Sequence, residues 1–338
     1  MLEAELHDAQ RQMLPGITTA GYLRHMRKFP RFFDALEPPL HRCSPSTRIN
    51  EFDEDATGRG DSYRIAQRQR DVRRVGIVGL VERALGGPIP AEPAPGLRVL
   101  DVLGGDGTVA RAIASLTGTE ADPWVLTGDI SGHMTAQAVR YQMPAVCQPA
   151  QRLALRSGMF DAVILAYGTH HIPGSERCTA FREAWRVLKP GGRIVVHDFD
   201  QQGPVARWFD EVVDRYTPGG HRYEHFTEAG LRDDLASVGF TDIVADELYD
   251  PFVMAAGSSE RASYELCSYV LHMYGLFGLR ESFPHDWHEL LWQLMSQCLR
   301  YQPGSVAAVP QVTVARHGTR FVATMPRVAL VAVGMKQP

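Results

Sequence analysis

No run of about eighteen consecutive apolar residues occurs in this 338-residue chain, so the sequence offers no membrane-spanning helix. The first residues, MLEAELHDAQRQM, lack the apolar core of a signal peptide. Cysteine is scarce and scattered, at Cys43, Cys147, Cys178, Cys267 and Cys298, with no C-x-x-C pair. That suits reduced thiols in a cytoplasm better than a disulfide framework or a zinc knuckle. A basic surplus is also missing. Thirty-five Lys and Arg face thirty-nine Asp and Glu, for a net charge of −4, and the electrostatic footprint of a nucleic-acid binder is absent. There is no internal repeat and no long low-complexity segment. The G-x-G-x-x-G that admits a dinucleotide pyrophosphate is not found, which makes an oxidoreductase the weakest reading.

The chain has 44% hydrophobic residues, ample for a sizeable core. Its most informative stretch runs from Leu97 to Met134. Val99-Leu100-Asp101-Val102 is too short for a helix and reads as a buried strand. Gly104, Gly105 and Gly107 follow, where backbone approaches a ligand without a Cβ in the way. Val109, Ala112, Ile113 and Leu116 have helical spacing, and Gly118 stops the helix. A second strand, Trp124 to Thr127, leads to Gly128-Asp129. An acid there, twenty-two residues after Gly107, is placed to accept hydrogen bonds from a ribose diol. Strand, glycine turn, helix, strand and acid together predict a nucleotide-like ligand on a doubly wound sheet.

Asp101-Val-Leu-Gly-Gly-Asp-Gly resembles the first motif of class I S-adenosylmethionine-dependent methyltransferases, D/E-x-G-x-G-x-G, with Leu103 in place of the first glycine. Four further stretches are similar to that family's pattern. They are Gly128-Asp129-Ile130-Ser131-Gly132-His133-Met134, Met159-Phe160-Asp161-Ala162-Val163-Ile164, Thr169-His170-His171-Ile172, and Arg186-Val187-Leu188-Lys189-Pro190-Gly191-Gly192-Arg193. The likeness covers about residues 97 to 248. It implies an α/β fold with a doubly wound, mostly parallel seven-stranded sheet whose last strand is antiparallel. It implies S-adenosylmethionine as cofactor, contacted by Asp101, Leu103, Gly104, Gly105, Gly107, Asp129, Ile130, Ser131, Met134 and Ala166. Many members carry an acid that meets the adenine amino group after the third strand. Residues 146–153 hold none, and Gln151 or Gln148 is the amide on offer there, with Gln151 the choice.

Residues 1–90 read as a helical N-terminal extension or lid. Helices are expected over Leu2 to Met13, over Tyr22 to Leu36 with a break at Pro30, and over Arg64 to Leu85, with residues 37–62 irregular. Arg68, Arg70, Arg73 and Arg74 form a cluster read mainly as a solvated helix face. Residues 91–249 form the cofactor-binding core. Within it, helices are expected from Met134 to Tyr141, Ser175 to Leu188, Asp200 to Tyr216 and Glu228 to Val238. Strands are expected at Ala145–Gln148, Asp161–Ala166, Arg193–His197 and Thr241–Glu247. Residues 250–310 form a helical insertion rich in aromatics, either an acceptor lid or a homodimer face. Residues 311–338 supply two strands, Gln311 to Arg316 and Arg320 to Val333, expected to close the core sheet.

Methyl transfer needs an aligned nucleophile, exclusion of water and a proton acceptor. Residues after the fourth core strand face the reacting centre at the topological switch point. Here these are Tyr167, Gly168, Thr169, His170 and His171, and His170, His171 and Tyr167 are the candidate catalytic groups, His170 first. His221, His225, His272 and Tyr274 are candidates for gripping a small-molecule acceptor, aromatic or apolar. His221 and His225 have the spacing of two metal-ligating histidines on a helix, with His272 or His288 as a third. Gly219 and Gly220 argue against a regular helix, and no metal is expected. The alternatives are methylation of protein or RNA, for which no concentrated basic surface is seen, and a methyltransferase-like fold used for another reaction or as a scaffold.

Overall fold

The computed structural model describes residues 12–37, 52 and 59–337. The chain enters through a hairpin, β1 (Gln12–Leu14) and β2 (Ile17–Thr18), followed by helices α1 (Thr19–Met26) and α2 (Pro30–Phe33). Thr18 Oγ1 accepts from the Gly21 N–H at 3.1 Å and caps α1. Pro30 opens α2, where its missing N–H is harmless, so the break expected at Pro30 separates two short helices. Of the helix expected from Leu2, residues 2–11 lie outside the described residues, and Gln12 to Leu14 is a strand. Next come α3 (Gly60–Gln67), a 3₁₀ turn (Arg70–Arg73) and α4 (Arg74–Leu85), which ends at Gly86 in the left-handed region, φ +73°.

The core then alternates as predicted: β3 (Val99–Asp101), α5 (Thr108–Thr117), β4 (Val125–Asp129), α6 (Gly132–Arg140), β5 (Ala145–Cys147), β6 (Phe160–Leu165), α7 (Gly174–Val187) and β7 (Leu188–Asp198). The segment after β7 is helical from Pro204 rather than Asp200. It runs as α8 (Pro204–Trp208), a π-turn (Phe209–Val213) and α9 (Asp214–Tyr216). Then follow α10 (Glu228–Val238), β8 (Thr241–Tyr249), β9 (Phe252–Ala256), α11 (Ser259–Tyr274), α12 (Phe277–Ser282), α13 (Trp287–Cys298), β10 (Thr313–His317), β11 (Arg320–Met325) and β12 (Val328–Met335).

Seven strands pair in the order β5-β4-β3-β6-β7-β12-β8. β12 runs antiparallel to both β7 and β8, while β5, β4, β3, β6 and β7 are mutually parallel. Side-chain alternation splits the sheet between two apolar layers. Val99, Val125, Ile164, Val195 and Val331 face one layer with α4, α5 and the insertion. Leu100, Leu126, Val163, Val196 and Leu330 face the other with α1, α2, α6, α7 and α10. Strands buried on both faces read as continuous apolar runs, which is why they were legible in the sequence.

The C-terminal expectation needs a correction. β10 and β11 do not close the core sheet; they pair with β9 in a separate three-stranded sheet, β10-β11-β9. Gly318, φ +60°, turns the β10–β11 hairpin. Pro326 has no N–H to continue the ladder, and Arg327 turns inward, so only Val328 onward enters the core. The insertion, expected to be helical, thus also carries a strand.

Candidate active site

The chain passes from β3 to β4 on one side and to β6 on the other, so the strand order reverses at β3 and leaves a crevice at the strand ends. Asp101 closes β3, only 1% exposed, and its Oδ2 has no hydrogen-bond partner. Burial, with repulsion from Asp129 added, pushes its carboxyl up to about 7, against opposing help from Arg73 and the Leu103 N–H. A Cβ at Gly104 would lie 2.8 Å from both Asp101 Oδ2 and Thr127 Cγ2, so only glycine lets the turn pass there. Gly107, φ +82°, leads into α5. At the end of β4, Asp129 accepts from the N–H groups of Gly105 (2.9 Å) and Ser131 (2.8 Å). Ser131 Oγ caps α6 by accepting from the Met134 N–H at 3.2 Å, and Met134 is buried in the core. Ile130 is 38% exposed at the crevice edge.

A buried carboxylate with one oxygen left unpartnered is a costly arrangement unless a further cation or donor meets it. The ammonium and sulfonium of S-adenosylmethionine supply such a cation, so these residues fit the cofactor. Of the two amides offered for the adenine side, Gln151 Nε2 donates to Glu176 at 2.6 Å, whereas Gln148 is buried with its Nε2 unpartnered. Ala166 is buried at the end of β6.

The other wall is built around Asp198, the last residue of β7. Its Oδ2 accepts from the His170 backbone N–H (2.7 Å) and from His170 Nδ1 (2.9 Å). Its Oδ1 accepts from the Phe199 N–H (2.8 Å) and lies 3.2 Å from His225 Nδ1. Burial pushes the Asp198 carboxyl up, but the histidines beside it outweigh this and hold it well below the usual carboxylate range. His170 is 5% exposed, and its Nε2 has no partner. His171, His221 and Tyr223 surround His170, at ring-centroid separations of 4.3, 5.0 and 5.7 Å. Phe209, on the π-turn, stacks on His221 at 4.3 Å. Burial, then the neighbouring His170, pushes His171 well below the usual imidazole range and His221 down to about 2.

Tyr167 follows β6 with φ +63°, a strained backbone for an aromatic residue. Its ring packs under the Arg73 guanidinium at 3.7 Å, and its hydroxyl lies 3.4 Å from Asp250 Oδ1. Burial and Asp250 both raise its pKa, so the phenol keeps its proton. Arg73 is 4% exposed, with Nε unpartnered. It is therefore a buried cation rather than part of a solvated face.

Two acceptor candidates lie apart from this group. His272 Nδ1 sits 3.0 Å from Ser62 Oγ, and Tyr274 backs Phe209 while its hydroxyl accepts from Arg327 at 3.1 Å. The sequence reading passed over Asp198, although an acid ending an apolar strand beside the switch point is a readable signal. Phe209 and Tyr223 carry no such signal, because only tertiary packing brings them to His170.

A family model described as "Methyltransferase domain" matches residues 100–196. The chain is 31% identical over 150 residues to the ubiquinone/menaquinone biosynthesis C-methyltransferase UbiE of Rhizobium johnstonii, covering 41% of this chain and 57% of that protein. It is 36% identical over 124 residues to UbiE of Bordetella parapertussis, covering 34% and 46%. The chain thus spans about half the length of the curated relatives it matches. Among solved structures, the methyltransferase in complex with the Haloferax volcanii Trm112 activator aligns with a TM-score of 0.50 over 87% of this chain and 100% of its own, at 15% identity, a likeness of fold. The chain therefore carries a class I S-adenosylmethionine-dependent methyltransferase domain on residues 100–196.

Proposed function

We propose that this protein transfers a methyl group from S-adenosylmethionine to a small aromatic or apolar acceptor whose proton is lost at the histidine cluster. One juxtaposition carries the reading. A buried carboxylate with one oxygen unpartnered ends β3, and a histidine fixed by an acid follows β6, the strand paired beside it. S-adenosylmethionine supplies an electrophilic methyl on sulfur, displaced in line by the nucleophile.

The chain's own residues do the rest. Asp101 receives the ammonium of the methionine end, and Arg73, whose charge opposes that of Asp101, receives its carboxylate. Asp129 accepts from the ribose while bracing the Gly105 and Ser131 amides. Leu103, Gly104, Gly105, Gly107 and Ile130 line the approach; Ser131, Met134 and Ala166 hold its walls. Asp198 fixes His170 through Nδ1 and leaves Nε2 turned to the acceptor. His171, His221 and His225 complete that wall. Tyr167 positions rather than takes a proton, since its phenol stays neutral. Phe52, whose ring lies 5.7 Å from His171, and Phe209 give the acceptor aromatic surfaces. No helix among the described residues is long and apolar enough to cross a membrane, and no two of the four described cysteines form a disulfide.

The test is a transfer assay with methyl-labelled cofactor against phenols, quinols and aryl carboxylates. Wild type should release S-adenosylhomocysteine with labelled product. His170→Ala should lose about 10²–10⁴-fold in turnover with cofactor affinity kept. Normal turnover in both His170→Ala and His171→Ala would refute the assignment.

A further inference from the structure

Three imidazole nitrogens in the acceptor wall are buried with nothing to bond: His170 Nε2 and both His221 Nδ1 and Nε2. Unpaired buried polar atoms are rare, and each calls for a missing partner. From these atoms and their neighbour His171 we propose a divalent transition-metal site, ligated by His170, His171 and His221. The proposal rests on the methyl-transfer reading and specifies how the histidines act.

One nitrogen from each of the three residues lies within 4.8 Å of the others. A Zn²⁺-sized ion at about 2.0–2.1 Å from each nitrogen draws them somewhat closer, a movement of the order of 1 Å for side chains on loops. His170 and His171 come from the 3₁₀ turn Thr169–His171 after β6. His221 comes from the loop after α9, which is not helical at residues 219–225, as Gly219 and Gly220 suggest, so the ligands are not a helical i, i+4 pair of His221 and His225. The second coordination layer is in place. Asp198 accepts from His170 Nδ1, which fixes that ring's tautomer and presents its Nε2 lone pair, an arrangement typical of metal-bound histidines. His170, Asp198 and His225 also lie within ligand reach of one another. That group is the poorer site, because Asp198 already accepts from the backbone of His170 and Phe199 and faces two imidazoles.

Three protein ligands leave a position open for an oxygen donor. An acceptor with an ionisable hydroxyl, such as a phenol, quinol or enol, takes it. The hydroxyl proton leaves to solvent. The oxygen lone pair, or a ring carbon conjugated to it, forms the bond to the methyl carbon, and sulfur keeps the electron pair of the broken C–S bond.

The full chain, without a polyhistidine tag, is stripped with chelator and titrated with Co²⁺. One equivalent should give the visible d–d bands of a tetrahedral site, bleached by Zn²⁺. His221→Ala should abolish the bands, and Asp198→Asn should weaken Co²⁺ binding about 10–100-fold. His272→Ala should leave the titration unchanged. Each variant is accepted only if it still binds S-adenosylmethionine. A wild-type protein that binds the cofactor yet shows no stoichiometric Co²⁺ bands overturns the metal site and leaves the His170 imidazole as the base. So does His221→Ala with unchanged Co²⁺ affinity. Metal binding without any cofactor binding overturns the methyl-transfer reading instead.

Discussion

At the residue scale, Asp101 concentrates the electrostatics of the cofactor side. An ordinary carboxyl loses its proton near 3.8, whereas this one holds it up to about 7, because burial and Asp129 penalise the charge. Between those pH values the folded protein keeps a proton that the unfolded chain has lost. Stability therefore falls as pH rises from about 4 to about 7, by on the order of 4 kcal/mol once the shift is complete. Asp101→Asn should be more stable than wild type at pH 8, a difference that shrinks below pH 5, as denaturant melts at both pH values will show. Cofactor affinity should rise with pH through about 7 in wild type, and that rise should vanish in Asp101→Asn. Asp129→Ala should weaken cofactor binding by about 1.5–3 kcal/mol by calorimetry, because a charged acceptor is lost from the ribose and from two backbone amides. The positions of both acids at the ends of β3 and β4 were legible in the sequence, because each closes a short apolar run beside glycines. Arg73 was not: its spacing matches a solvated helix face, and only the packing of α4 and Tyr167 buries it.

At the element scale, the β3–α5 turn is a backbone device. Gly104→Ala puts a methyl 2.8 Å from Asp101 Oδ2 and Thr127 Cγ2, inside contact distance of two buried groups. It should destabilise the fold by about 1–3 kcal/mol and weaken cofactor binding, readable from the melting temperature with and without ligand. The core elements were legible because turn chemistry, caps and apolar period agree there: Gly118 and Gly239 both end helices in the left-handed conformation. The C-terminal strands were not. β10 and β11 have the period of strands, but period does not name a partner, and their pairing with β9 comes from a segment whose apolar residues also suit a helix.

At the scale of the whole molecule, a buried ion pair ties the layers together. Asp250, between β8 and β9, pairs with Arg327, between β11 and β12, and burial of its carboxyl is outweighed chiefly by that guanidinium. A Cβ on Gly76 of α4 would collide with Asp250, so the N-terminal extension is fitted onto the same carboxylate. The described part of that extension is core rather than a loose cover, with Tyr22, Phe32, Ile77 and Leu80 buried. Arg327→Met leaves Asp250 charged and buried beside Tyr167 and His197, and should destabilise the fold by about 3–5 kcal/mol in chemical denaturation.

The central claim is that this crevice takes S-adenosylmethionine. Calorimetric titration of the intact chain with S-adenosylmethionine, and separately with NAD, tests it most directly. One-to-one binding of the sulfonium, stronger at pH 8 than at pH 6, with no heat from NAD, is the predicted result. A folded protein that gives no binding heat with S-adenosylmethionine at either pH, with or without added Zn²⁺, would contradict it.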